Sequence, residues 1–377
     1  MKLNSPKSAN AKHKVRYAVV GLGWIAQEAV LPGFSNARNS ELVALVTDNA
    51  EKASELGSKY RVPKVVGYDG YDELLAGGEI DAVYIALPNH QHKDFTVRAA
   101  KAGVHVLCEK PMAETELDCL EMIQAADEAK IKLMIAYRLH FEEANLYALE
   151  TVRSGKIGEA RMFVSVFSQP VAPGNVRLKA DQGGGPLMDM GVYCINAARY
   201  LFGEEPNEVS GFASQNGDPR FREVPEMVSA MLRFPSGRVA AFISSFGAAP
   251  TDSYRVVGTK GDFRLEPAYD YHEVPIAYLS IDGKTQRKEF SRHDQFGAEL
   301  LYFSDCILKN RDPQPSGREG MADVRVVRAL VTSMDSHLPV EVAGEAPPER
   351  PSRENKIDLP PVKPPETVQV ASPTGKT

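Results

Sequence analysis

Short apolar runs alternate with longer segments of helical spacing along the first third of the chain. Residues 15–20, 41–46, 65–66, 81–86, 105–108 and 132–136 read as strands. Segments 24–36, 49–60, 71–75, 90–102 and 114–130 lie between them and read as helices, several with apolar residues at the spacing of one helix face. Gly103 stands where a helix C-terminus wants glycine. Strand and helix in regular alternation predict an α/β unit with a doubly wound parallel sheet, a Rossmann domain over 15–140.

The rhythm changes after Phe141. A helix over 142–153 is followed by strand-like runs at 160–169, 208–213, 227–234, 238–245, 254–258, 263–266 and 277–281, with few helices between. One helix is expected at 187–201, behind the glycine triplet Gly183–Gly185, and two more at 296–309 and 320–336. This pattern predicts a second α/β domain over 141–342 with a large, open, mostly antiparallel sheet. One broad face of that sheet is exposed or paired with another subunit. Residues 1–14 read as a flexible arm. Residues 343–377, rich in proline and charge, read as a disordered or loosely attached tail.

Composition narrows the function. The 377 residues are 43% hydrophobic and 25% charged, enough apolar content for a real core. The net charge of −6 and the lack of a long basic run argue against a nucleic-acid partner. No apolar stretch reaches membrane-spanning length, and no apolar segment follows the basic N-terminus, so neither a membrane anchor nor a secretory signal is expected. Cys108, Cys119, Cys194 and Cys306 match no metal or disulfide spacing, which fits a reducing cytoplasm and no metal.

Four motifs carry chemistry. The first is Gly21-Leu22-Gly23-Trp24-Ile25-Ala26, directly after a strand and opening a helix. Its glycines permit a tight turn and close approach to a pyrophosphate, which the helix N-terminus favours. The second is the end of the second strand. Thr47 with Lys52 would accept the ribose phosphate of NADP, whereas Asp48 would hold the free ribose of NAD or cap the next helix. NADP is the reading adopted, with NAD as the alternative. The third is Leu87-Pro88-Asn89 with His92, at the strand end expected beside the nicotinamide; Asn89 or His90 could equally cap the following helix. The fourth pairs Glu109-Lys110, stopped by Pro111 at the end of a core strand, with the helix of Asp189 and Tyr193. Four residues apart, Asp189 and Tyr193 share a helix face. A tyrosine is a poor base near pKa ~10, and a neighbouring ammonium favours its phenolate.

The strings GLGWIAQEAVLPGF, DAVYIALPNHQH, HVLCEKPMA, LMIAYRLHF and GGGPLMDMGVYCINAARYLFGEEP together resemble the Gfo/Idh/MocA oxidoreductases, and among them the glucose–fructose and related aldose oxidoreductases. The resemblance covers residues 15–341. It implies a Rossmann domain followed by a sheet that builds a homodimer or homotetramer. It also implies catalytic roles for Lys110, Asp189 and Tyr193, with Arg138, Arg177 and Tyr271 near the cofactor or sugar. The expected activity is hydride transfer between a sugar and NADP(H), with the cofactor either released or kept for a second sugar. The rival expectation is a non-catalytic regulator of the same fold that binds nucleotide and sugar.

Overall fold

A computed structural model describes residues 14–347 and 349–375. The flexible arm expected over 1–14 lies, but for its last residue, outside the described residues. The first sheet has six parallel strands: β1 (Val15–Val20), β2 (Ser40–Val46), β3 (Lys64–Val66), β4 (Ala82–Ile85), β5 (His105–Glu109) and β6 (Leu133–Ala136). Their spatial order is β3-β2-β1-β4-β5-β6. The order reverses at β1 and β4, so a crevice opens beyond their carboxyl ends, where such sheets bind ligands. The near-continuous apolar runs of β1, β4 and β5 are explained by helices packed on both faces.

One of those covering helices comes from the far end of the chain. Gln295–Leu308 lays Phe296, Leu300 and Phe303 onto the cluster around β1 and β2. Its Ser304 hydroxyl is 2.8 Å from that of Tyr17 and 2.7 Å from that of Ser40.

The second sheet has nine strands: β7 (Ala160–Ser168), β8 (Glu208–Ser214), β9 (Met227–Arg233), β10 (Val239–Ser245), β11 (Thr251–Gly258), β12 (Gly261–Glu266), β13 (Ile276–Ile281), β14 (Lys284–Glu289) and β15 (Val340–Glu341). They lie in the order β14-β13-β12-β11-β7-β10-β9-β8-β15, and only the central β7–β10 pair is parallel. β14 was not foreseen. Its sequence, KTQRKE, is exposed throughout, so no apolar alternation marks it. It is an edge strand held by its ladder to β13, and its charges discourage further pairing.

The expected helix at 187–201 forms in two parts. Leu187–Gly191 winds as a wide π turn before Val192–Phe202 continues as an α-helix. Arg199, with no exposed side-chain surface, pairs with Glu205 at 2.6 Å, Glu319 at 2.9 Å and also Asp323. Glu319 and Asp323 belong to the helix Gly317–Ser336, so this buried cluster fixes one helix against the other.

Composition predicts a loose tail after Ala343; residues 349–375 instead lie along the body. Ile357, Leu359 and Val368 pack against the cluster that covers β1 and β2. The main chain of Ile357 donates to Phe141 O, Leu359 O accepts from Asp294 N, and Pro360 O accepts from Asn36. Apart from the 3-10 turn Arg353–Asn355, the described tail forms no helix or strand, and its carbonyls remain free to accept bonds from a body already folded.

Candidate active site

The crevice at the β1/β4 carboxyl ends faces the helix 187–202 and the second sheet across a cavity of about 490 Å³. The glycine loop forms one end. Gly21 has φ +88°, and a Cβ there would stand 2.7 Å from Ala86 O, so only glycine fits. A Cβ on Gly23 would meet nothing within 4 Å, and Gly23, Trp24 and Ile25 line the cavity. Leu22 points into the core instead. A backbone that is both tightly turned and open to approach is what a pyrophosphate requires.

At the end of β2 the structure separates two readings of the sequence. Asp48 is not the helix cap: its carboxylate accepts the main-chain N–H of Tyr68 at 2.7 Å. Asn49 caps the helix Ala50–Lys59, accepting from Lys52 N at 2.9 Å. Thr47 is buried, its hydroxyl 3.3 Å from Asn49 N. Among the described residues no carboxylate pairs with Lys52, and partial burial lowers its pKa.

Lys110, Asp189 and Tyr193 converge in the cavity. β5 ends at Glu109, so its direction carries Lys110 into the crevice. Lys110 Nζ donates to the main-chain oxygen of Asp189 at 2.8 Å and to Oδ1 at 3.2 Å. It also lies 4.6 Å from the centre of the Tyr193 ring. Arg177 Nε donates to Asp189 Oδ2 at 2.8 Å. Burial opposes ionisation of Asp189, but Arg177 and Lys110 overcome it and hold the carboxyl far below the usual range. Burial likewise opposes the charge on Lys110, while Tyr193, Asp189 and Glu109 together keep its pKa above the ordinary value. Lys110 is therefore an ammonium at neutral pH.

Arg138 sits beneath this group. Its guanidinium is 5.3 Å from the Tyr193 ring centre and 5.1 Å from that of Tyr271, and it donates to Gln295 and to Tyr269 O. Glu109 accepts from the Tyr84 hydroxyl at 2.8 Å, and burial raises its pKa. Glu299 has no exposed surface, and burial together with nearby Glu109 pushes its carboxyl well above the usual range.

Leu87, Pro88 and Asn89 line the cavity, and Asn89 donates to Gly183 O at 2.7 Å rather than capping a helix. His92 does not reach the cavity. It is fully buried behind the wall, its ring nitrogens 2.9 Å from Leu87 O and from Pro111 O, where it pins the two loops together. Gly21, Leu22, Thr47, Asp48 and Lys52 also stand off the cavity wall, Thr47 and Asp48 just past β2 and Lys52 in the helix that follows. Several wall residues were not anticipated: Phe167, Gln169, Gln182, Met190, Asp270, His272, Phe296 and the tail residues Ser372, Pro373 and Thr374. Phe167 sits on β7, which was expected as a strand; the tail carried no signal at all.

Fold and cavity together define a nucleotide-binding α/β protein with an ammonium, a carboxylate and a phenol gathered at its crevice. A family model described as an oxidoreductase family with an NAD-binding Rossmann fold matches residues 15–137, and one for the GFO/IDH/MocA C-terminal domain matches residues 146–264. The chain belongs to the GFO/IDH/MocA oxidoreductase family. D-xylose 1-dehydrogenase (NADP+) of Haloarcula marismortui is 31% identical over 87% of this chain and 93% of its own length. The crystal structure of an aldose–aldose oxidoreductase from Caulobacter crescentus, complexed with glycerol, superimposes with a TM-score of 0.83 at 38% identity, covering 87% of this chain and all of that one. A 3-ketoreductase from Actinomadura kijaniata, in complex with NADP and TDP-benzene, superimposes at 0.79 with 26% identity over 85% of this chain and 98% of its own.

Proposed function

We propose that this chain is a sugar oxidoreductase that moves a hydride between a CH–OH carbon of an aldose or related sugar and NADP(H). The observation that carries the reading is the meeting of Lys110, Asp189 and Tyr193 in one cavity continuous with the glycine loop. The relatives named above are, as their names state, a D-xylose dehydrogenase, an aldose–aldose oxidoreductase and a 3-ketoreductase.

When bound, the nicotinamide supplies the hydride acceptor or donor. The protein's part is proton handling and positioning. Tyr193 takes the proton of the sugar hydroxyl. The Lys110 ammonium, over the face of the Tyr193 ring, favours the negative charge that develops as that proton leaves, and it donates to the sugar oxygen. Asp189 keeps Lys110 in place and binds a neighbouring sugar hydroxyl. General acid–base roles of this kind contribute roughly 10²–10⁴-fold in rate, and fixed orientation adds to that. Gly21 and Gly23 would cradle the pyrophosphate, and Thr47 and Lys52 would receive the ribose phosphate. An ammonium partly buried without a carboxylate favours NADP over NAD.

Two further parts of the reading concern setting. Met162, Val164, Phe212, Met231 and Ile243 are exposed together on one face of the adjoining strands β7 to β10. A contiguous apolar patch of this kind on a sheet supports an interface, and a second copy of the chain would bring the same patch to cover it. All four cysteines are free and buried, which suits a reducing cytoplasm, and no helix among the described residues is long and apolar enough to cross a membrane.

The test is to follow NADPH formation with a panel of aldoses. Turnover of at least one aldose is expected, with Lys110→Ala inactive but still able to bind NADPH. Near-normal turnover by Lys110→Ala, or no nicotinamide binding in a calorimetric titration of the natural chain, would refute the assignment. A second cycle is favoured by the likeness to an aldose–aldose oxidoreductase: product from an aldose and a ketose with no added nicotinamide would identify it.

A further inference from the structure

The carboxyl-terminal segment joins the two ends of the cofactor crevice. At the carboxyl end of the helix Ala50–Lys59, Lys59 Nζ donates to Glu366 O at 2.8 Å. The side chain of Gln369 accepts from Asn49 Nδ2 at 2.7 Å and donates to Glu51, on the turn beside Thr47 and Lys52. One residue earlier in the segment, Gln27 holds Val368 as a strand partner would. Its Oε1 accepts Val368 N at 2.7 Å, and its Nε2 donates to Val368 O at 3.0 Å and to Leu22 O of the glycine loop at 3.0 Å. Gln27 is 1% exposed, so the tail and the glycine loop are joined through one buried amide. At the other end, Pro373 O accepts from Ala172 N at 2.8 Å, and Ser372, Pro373 and Thr374 line the cavity that holds Lys110 and Tyr193.

From Val368, beside the glycine loop, and Gln369, whose side chain reaches the place for the ribose phosphate, the segment therefore runs on to the catalytic cavity. These are the two ends that a bound dinucleotide spans. The four residue steps from Gln369 to Pro373 reach at most ~14 Å. With both ends tied, the chain between them has little slack to lift away.

We propose that residues 366–374 form the outer wall of the cofactor groove and hold the dinucleotide in it between turnovers. The proposal rests on the reading above, that the groove takes NADP(H). It assigns a binding role to a segment whose composition suggests none. It also makes Gln27 a positioning residue that ties the wall to the loop carrying the pyrophosphate.

The experiment compares NADPH release from three proteins: the full chain, a chain ending at Pro365, and full-length Val368→Asp. The substitution puts a carboxylate where the tail packs against the apolar cluster and so lifts it. Each protein is loaded with NADPH and mixed with excess NADP+, and the loss of bound-NADPH fluorescence gives the release rate. Thermal melts are run alongside. Release at least tenfold faster in Val368→Asp, with its melting temperature within a few degrees of the full chain, is the expected result. The shortened chain should behave in the same way, and if it fails to fold, Val368→Asp decides. Equal release rates from full chain and Val368→Asp, with NADPH bound by both, overturn the wall but leave the oxidoreductase standing. No NADPH binding by the full chain overturns both.

Discussion

Lys110 Nζ is held by two atoms of Asp189, the main-chain oxygen at 2.8 Å and Oδ1 at 3.2 Å. One residue of the second half of the chain thus fixes the ammonium supplied by the first, and Arg177 holds the same carboxylate from its other oxygen at 2.8 Å. The π turn at Leu187–Gly191 contains Asp189; such turns recur at functional sites because they widen the helix locally and re-aim its groups.

Replacing Asp189 by Asn keeps the main-chain contact to Lys110 but removes the negative charge. We expect kcat to fall roughly 10²-fold, within the range of a lost acid–base arrangement. The sign of the pH effect follows from the causes above. Asp189 helps raise the pKa of Lys110, so its loss lowers that pKa. The alkaline limb of the pH–rate profile should therefore move to lower pH. A kcat loss with an unmoved limb would mean that Asp189 binds sugar without governing the lysine.

Lys52 is an ammonium partly withdrawn from water, with no carboxylate partner among the described residues. If it meets the ribose phosphate, Lys52→Ala removes a charge-assisted bond worth about 1.5–3 kcal/mol. KM for NADP should then rise roughly 10- to 100-fold, while KM for NAD changes little. Equal changes for the two cofactors would place Lys52 in the fold rather than at the phosphate.

Asp252 tests a half-buried group away from the cavity's proton chemistry. Its pKa is pushed up to about 6 by burial, against the accepted bonds from Tyr269 N and Ala268 N. A raised folded-state pKa means that the native protein binds more protons than the unfolded chain between about pH 4 and 6. The stabilisation is complete below that window and is lost as pH rises through it, by about 3 kcal/mol at most. Asp252→Asn, whose amide oxygen can still accept both bonds, should flatten this part of the stability curve. Urea unfolding of both proteins at pH 4, 5, 6 and 7 measures it, and parallel curves would count against the raised pKa.

What the sequence determined by itself is whatever depends on near neighbours. Gly21 needs its turn, the apolar runs need burial, and Glu109-Lys110 ends a core strand because Pro111 stops it. These features place the glycine loop, the first sheet and the candidate ammonium. The tertiary structure decided what depends on partners far along the chain. His92 looked like a cofactor contact, but two carbonyls, one from Pro111, draw it behind the wall. β14 exists because β13 offers it a ladder, not because its own polar residues favour a strand. The tail reads as disordered because proline and charge cannot build a core; it is ordered here because Gln27, Lys59 and Ala172, more than 200 residues away along the chain, supply the hydrogen bonds it cannot make with itself. Local sequence records the propensity of a segment, and only the folded body reveals which of its exposed polar groups will find partners.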